Sequence, residues 1–208
     1  MTLPKKSGRP IGTTGQANVL STDGKDLKQL LRVIDAGQHA RRNTGIVILS
    51  HYLGLRAKEL AALKIKDVYE AGSLKPVLKL LAAYTKGAKH RDVSLENKVV
   101  IKALHDYLDE RRHLDGATFH PEAPLFRSQK GGAFSANAMV RVLGTLYKTA
   151  GFKEASSHTG RRSLITKLAY SGIDINSIRQ IAGHSSIATT QRYIHDNPHT
   201  IADILKAL

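Results

Sequence analysis

The chain contains no cysteine and no tryptophan, and aromatic residues make up only 5% of its 208 positions. Without cysteine there is no disulfide framework, no thiol nucleophile and no thiolate metal site. With so few rings, the core must be built from Leu, Ile, Val and Ala, and a hydrophobic content of 41% is ample for one. Long apolar runs are missing too. None approaches the roughly 18 residues that a membrane span requires, and no stretch has the pattern of a signal peptide. These absences point to a cytosolic protein. The chain also lacks an H-E-x-x-H ligand pair, and its carboxylates form no metal-like cluster, so no metal or cofactor is expected.

Acidic residues are scarce: 17 Asp and Glu stand against 32 Lys and Arg, a formal net charge of +15. Such an excess destabilises the compact state by self-repulsion and implies a polyanionic partner, nucleic acid first. The basic residues recur from Lys5 to Arg162 rather than gathering on one amphipathic helix, which disfavours a membrane surface.

Residues 1–20, rich in Gly, Pro, Thr and Lys without apolar period, read as a flexible basic tail. Beyond it, "STDGKDLKQLLRVIDA" places Leu27, Leu30, Leu31 and Ile34 on one helical face, and "NTGIVILSHYLGL" predicts a buried helix ending near Gly54. "RAKELAALKIKDV" continues a helical period through Leu60, Ala61 and Leu63. "LKPVLKLLAAYT" and "HRDVSL", joined by "KGAK", predict a β-hairpin. Helices return in "ENKVVIKALHDYLDERR", in "SANAMVRVLGTLYKTAG" with Ser135 as N-cap, and in "SHTGRRSLITKLAYSG". "DINSIRQIAG" carries a start signal in Asp174 and a stop in Gly183. "SSIATTQRYI" and "HTIADILKAL" predict two last helices. The sum is a mainly α domain with one small antiparallel β-sheet.

Six side chains suggest chemistry. His158 and Arg161, three apart on a predicted helix, point the same way, and a guanidinium beside an imidazole suits a phosphodiester. The alternative is a solvated helix face. Arg56 opens a helix, with Glu59 three residues on to brace it or merely to form an exposed ion pair. Lys86 lies at the hairpin tip, where an ammonium can protonate a leaving oxygen, and Lys89 competes for that role. His184 follows a helix-ending glycine, and Tyr193 comes nine residues later on a short helix, where packing is its commonest use.

The order Arg56, Lys86, His158, Arg161, His184, Tyr193 resembles the tyrosine recombinase (phage integrase) family. "GLRAKELAAL" is similar to its first-arginine motif, "TKGAKHRDVSL" to its lysine hairpin, and "HTGRRSLITKLAYSGIDINSIRQIAGHSSIATTQRYIH" to its second motif block. The resemblance implies the DNA breaking–rejoining fold and a site-specific recombinase working through a 3′-phosphotyrosyl bond. A type IB-like topoisomerase, or a DNA-binding regulator on a recombinase scaffold, are the alternatives. It implies Tyr193 as nucleophile, Arg56 and Arg161 on the non-bridging oxygens, and Lys86 as proton donor to the 5′-oxygen. His158 would take the tyrosine proton or hold the phosphate, His184 would hydrogen-bond a phosphate oxygen, and Glu59 would order the site from behind. The implied partners are double-stranded DNA, further copies of the chain (a tetramer on DNA) and an accessory directionality factor, in the cytoplasm at the nucleoid. Only about 20 residues precede the first predicted helix. Residues 21–208 are therefore expected to be the catalytic domain alone, as a single-domain member or a fragment, without the family's separate N-terminal clamp domain. Gly160, Arg162 and Ala182 depart from the family's usual residues.

Overall fold

The computed structural model describes residues 19–80 and 90–195, with residues 192–195 described by their backbone alone. Helix α1 (Lys25–Asp35) follows a left-handed Gly24. Its entry is pinned by a reciprocal pair, the Ser21 amide donating to Asp26 (2.7 Å) and the Asp26 amide to the Ser21 hydroxyl (3.2 Å). It buries Leu27, Leu30 and Ile34, while Leu31 stays half-exposed. Leu20, the end of the stretch read as tail, is 3% exposed and belongs to the core. Its amide donates to the Ser163 hydroxyl at 2.9 Å, so the folded part begins inside that stretch.

Helix α2 (Ala40–Tyr52) is buried on every side over residues 45–50 and forms the axis of the domain, with helices packed around it. Ile46, Val47, Ile48 and Leu49 are essentially inaccessible; each such side chain contributes roughly 1.5–3 kcal/mol relative to exposure. The helix starts three residues before the expected "NTG", because nothing in "ARR" opposes helix.

The expected continuous helix after Arg56 is broken in two, α3 (Ala57–Ala62) and α4 (Ile65–Val68). Leu63 and Lys64 are extended at the break. There Leu63 remains 1% exposed, and its carbonyl accepts from the Leu125 amide, so burial and a tertiary hydrogen bond override helix propensity. A tight hairpin that the sequence reading did not anticipate follows, β1 (Tyr69–Glu70) with β2 (Ser73–Leu74). Its turn needs positive φ at both Ala71 (48°) and Gly72 (86°), and alanine gives no warning of that conformation. The anticipated hairpin is β3 (Val77–Leu80) with β4 (Arg91–Ser94), antiparallel from Val77↔Ser94 to Leu80↔Arg91. Among the described residues the small sheet is thus two separate two-stranded ladders.

Helix α5 (Lys98–Asp115) is capped by the Asn97 side chain, a cap the sequence reading did not name, and α6 (Ala136–Thr149) by Ser135, as expected. Helix α7 (Thr159–Tyr170) begins two residues into the stretch read as helical, with His158 as its N-cap. Helix α8 (Ile175–Ala182) starts at an Asp174 cap and stops at a left-handed Gly183 (φ 59°), and α9 (Ile187–His195) follows. The last predicted helix lies outside the described residues. Most buried side chains form one core around α2, whereas Ile165, Ile178 and Ala182 form a small second cluster between α7 and α8. The candidate site occupies the seam between the two.

Candidate active site

The C-terminus of α8 organises the site. A helix end leaves carbonyls without intrahelical partners, and those groups must be paired or solvated. The Gly183 turn satisfies two of them: the Gly183 amide donates to the Gln180 carbonyl (2.9 Å) and the His184 amide to the Arg179 carbonyl (3.0 Å). The next three carbonyls each receive a guanidinium from a different element. Arg91 of β4 donates to the Ile181 carbonyl, Arg161 of α7 to Ala182, and Arg56, the N-cap of α3, to Gly183 (3.1 Å). The negative end of the α8 dipole favours this gathering of cations.

One carboxylate sits behind them. Glu59 is fully buried, with one oxygen accepting from Arg56 Nη1 (2.7 Å). Its other oxygen accepts from the Arg56 amide (2.8 Å) and Arg91 Nη2 (3.2 Å). Two guanidinium groups therefore share one buried carboxylate and Arg161 adds a third positive charge at the same helix end, so the pocket is cationic. Arg161 is nearly enclosed, its Nη1 donating to the Gly54 carbonyl at 2.6 Å. Gly54 closes α2 at φ 63° with Leu164 and Arg161 against it, so the end of α2 seats the second arginine. Arg56 is the more open, with its side chain 20% exposed.

Both histidines are biased toward neutrality. Burial, then the charges of Arg161, Arg56 and Arg91, push His184 down to about 4. Its Nδ1 lies 2.9 Å from the Thr190 hydroxyl on α9. His158 is also held below the ordinary imidazole range, by desolvation first and then by Arg161, Arg162 and Arg56, although its side chain keeps an exposed face. A neutral imidazole beside fixed guanidinium groups can accept a proton or donate one hydrogen bond, which suits a phosphate whose charge the arginines offset.

The expected residues divide into three groups. Arg56, Glu59, Arg161 and His184 come together at the end of α8, and His158 stands at the head of α7 within the field of the same arginines. His158 and Arg161, expected on one helix face, are the N-cap and the buried third residue of α7, and Arg161 is the strongest charge acting on His158. Tyr193 lies on α9, three positions beyond Thr190, and α9 packs against α7 and α8. Its side chain and the whole of Lys86 fall outside the described residues.

The sequence profile described as the phage integrase family matches residues 21–200. The chain belongs to that family. This integrase-family chain is 34% identical over 155 residues to the Tyrosine recombinase XerC of Pelobacter propionicus, covering 74% of this chain and 47% of that protein. To the Tyrosine recombinase XerD of Corynebacterium glutamicum it is 30% identical over 191 residues, 88% of this chain and 60% of the other. The chain spans about half the length of the curated relatives it matches. Among solved structures, the XerA recombinase superposes with a TM-score of 0.72 at 30% identity, covering 91% of this chain and 64% of that one. The XerH recombinase bound to palindromic difH substrate superposes at 0.69 with 24% identity, covering 91% and 52%. The fold is that of tyrosine recombinase catalytic domains.

Two site residues of the integrase-family chain escaped the sequence reading, Arg91 and Thr190. Arg91 had a signal available. In the alternation of β4 it takes a buried position ahead of exposed Asp92, and a charge at an inward strand position needs a partner. Thr190 had none, being one hydroxyl among several in "SSIATT". Gly160 now has a reason. A Cβ there would come within 2.9 Å of the Ser50 hydroxyl, 3.0 Å of the Tyr147 hydroxyl and 3.2 Å of the His51 amide, so glycine lets α7 lie directly on α2.

Proposed function

We propose that the chain is the catalytic part of a site-specific DNA recombinase that cuts and rejoins strands through a 3′-phosphotyrosyl intermediate on Tyr193. The observation that carries this reading is the convergence of Arg56, Arg161 and His184 on the end of α8, with the tyrosine's helix fastened there through Thr190 and His184. Names of the relatives in the family, tyrosine recombinases XerC and XerD, support it.

The Tyr193 phenolic oxygen attacks the phosphorus and the P–O5′ bond breaks. Arg56 and Arg161 hold the non-bridging oxygens and offset the extra charge of the pentavalent transition state. His158 takes the phenol proton or holds the phosphate, His184 donates to a phosphate oxygen, and Lys86 delivers a proton to the departing 5′-oxygen. An ordinary phenol titrates near 10, so a cationic pocket is needed to make it a nucleophile at neutral pH. The products are a protein–DNA phosphodiester and a free 5′-hydroxyl. Attack by another 5′-hydroxyl reverses the step with no nucleotide consumed. Glu59 keeps the arginines in place from behind. Residues 21–208 act as the catalytic domain, and the basic tail of residues 1–20 adds contact with the DNA backbone. Exchange between two duplexes calls for several copies, read as a tetramer on DNA, with an accessory factor setting direction at the nucleoid.

The test is capture of a denaturation-resistant adduct from a pool of nicked duplexes with a randomised centre, whose trapped members are sequenced. Tyr193→Phe should lose the adduct and keep DNA binding. A well-folded wild-type preparation that captures nothing favours a DNA-binding regulator. Relaxation of supercoiled plasmid without site dependence points instead to a topoisomerase.

A further inference from the structure

Arg91 is 9% exposed, its side chain 7%, at the first position of β4. It pairs across the ladder with Leu80, the last described residue of β3, and residues 81–89, with Lys86 among them, connect the two strands beyond that pair. From that root the guanidinium reaches two other elements at once, the Glu59 carboxylate of α3 (3.2 Å) and the Ile181 carbonyl of α8. Gly183 makes room for it, since a Cβ there would come within 3.0 Å of Arg91 Cδ.

Stability does not explain this choice. Burial pulls the Arg91 guanidinium below its ordinary range, Glu59 works against that, and Arg56 adds to it. Its Nε is buried with no hydrogen-bond partner among the described residues, an uncompensated cost. An apolar side chain of similar size at such a position is often neutral or stabilising, and a buried charge kept in spite of that is best attested where it fixes register. A two-stranded ladder is also marginal by itself, so its root needs an external tie.

We infer that Arg91 is a positioning residue that fixes the root of the β3–β4 hairpin against Glu59 and the end of α8, and so sets where Lys86 meets the leaving 5′-oxygen. This rests on the recombinase reading above. A misplacement of about 1 Å can cost on the order of a hundredfold in rate. If Arg91 acts through Lys86, its loss should matter only when the leaving group needs a proton.

The experiment measures single-turnover adduct formation on the captured nicked duplex, made with oxygen or with sulfur at the 5′-bridging position of the scissile phosphate. A thiolate leaves without protonation. On oxygen, Arg91→Gln and Lys86→Ala should both be slowed by at least about tenfold. On sulfur, both should come within about threefold of wild type, because the leaving thiolate needs no proton from Lys86. Arg91→Lys, which keeps the charge but cannot present two donors in a planar fork, should behave as Arg91→Gln does. Thermal unfolding and DNA affinity are followed for each variant, and Arg91→Lys serves if Arg91→Gln does not fold. An Arg91 defect of equal size on both substrates, no defect on oxygen, or a Lys86→Ala defect that sulfur leaves unrelieved overturns the inference. Absence of any adduct from wild type instead overturns the recombinase reading itself.

Discussion

Replacing Glu59 with glutamine removes one charge and almost no volume, and the geometry makes the outcome calculable. The carboxylate is fully buried and accepts three hydrogen bonds, two from guanidinium groups and one from the Arg56 amide. Glutamine keeps one acceptor oxygen and turns an NH2 group toward donors that had an oxygen to meet. Charge-assisted bonds of this kind contribute about 1.5–3 kcal/mol each. Removing one partner of a buried ion pair typically costs about 3–5 kcal/mol. We expect a loss near the lower end, about 3 kcal/mol, because Arg56 keeps some solvent and the α8 carbonyls still hold both guanidinium groups. For a domain of this size that lowers Tm by roughly 6–12 °C. The assay is thermal unfolding at pH 7 with and without duplex DNA. DNA phosphate supplies the missing negative charge, so the Tm gain on adding DNA should be larger for Glu59→Gln than for wild type. A variant with wild-type Tm, or one gaining no more from DNA than wild type, refutes Glu59 as the pocket's internal counter-ion.

Two further outcomes follow from packing and charge. Gly160→Ala adds a methyl group that meets two hydroxyls and a backbone amide at 2.9–3.2 Å. Overpacking costs about 1–3 kcal/mol against up to about 1 kcal/mol of helix propensity, so urea unfolding should show net destabilisation. Gly144→Ala on α6, with nothing within 4 Å, should be neutral or stabilising. Acid sensitivity is the other. His184 and His51 are each held down to about 4 by burial first, then by nearby cations. The unfolded chain, with imidazoles near 6.5, binds more protons between pH 6.5 and 4, so stability is full above that window and lost as pH falls through it. His184 accounts for up to about 3 kcal/mol of the loss, and His184→Gln should flatten the Tm–pH curve between pH 7 and 5. An equally steep curve in the variant contradicts the assignment.

Local chemistry made much of the fold legible in the sequence. Helix α6 announced its start with Ser135, α8 announced both ends with Asp174 and Gly183, and α1 showed its buried face through the spacing of Leu27, Leu30 and Ile34. The break at Leu63–Lys64 was not legible, because both residues are good helix formers and a tertiary hydrogen bond decides the matter. The β1–β2 turn was hidden by an alanine at positive φ. In the site, charged and titratable side chains could be picked out one by one. What gathers them could not, since the Ile181, Ala182 and Gly183 carbonyls are backbone atoms and carry no letter in a sequence.

That anonymity has a practical corollary for mutagenesis. Systematic alanine replacement along α8 would leave the three acceptor oxygens in place, and its one large loss, at buried Ile178, would report packing and say nothing of them. Deleting a single residue there would instead rotate the final turn by about 100° and carry the oxygens away from all three arginines together. Outside Ile178 and Gly183, insertions and deletions rather than substitutions are the changes to which this stretch should be intolerant.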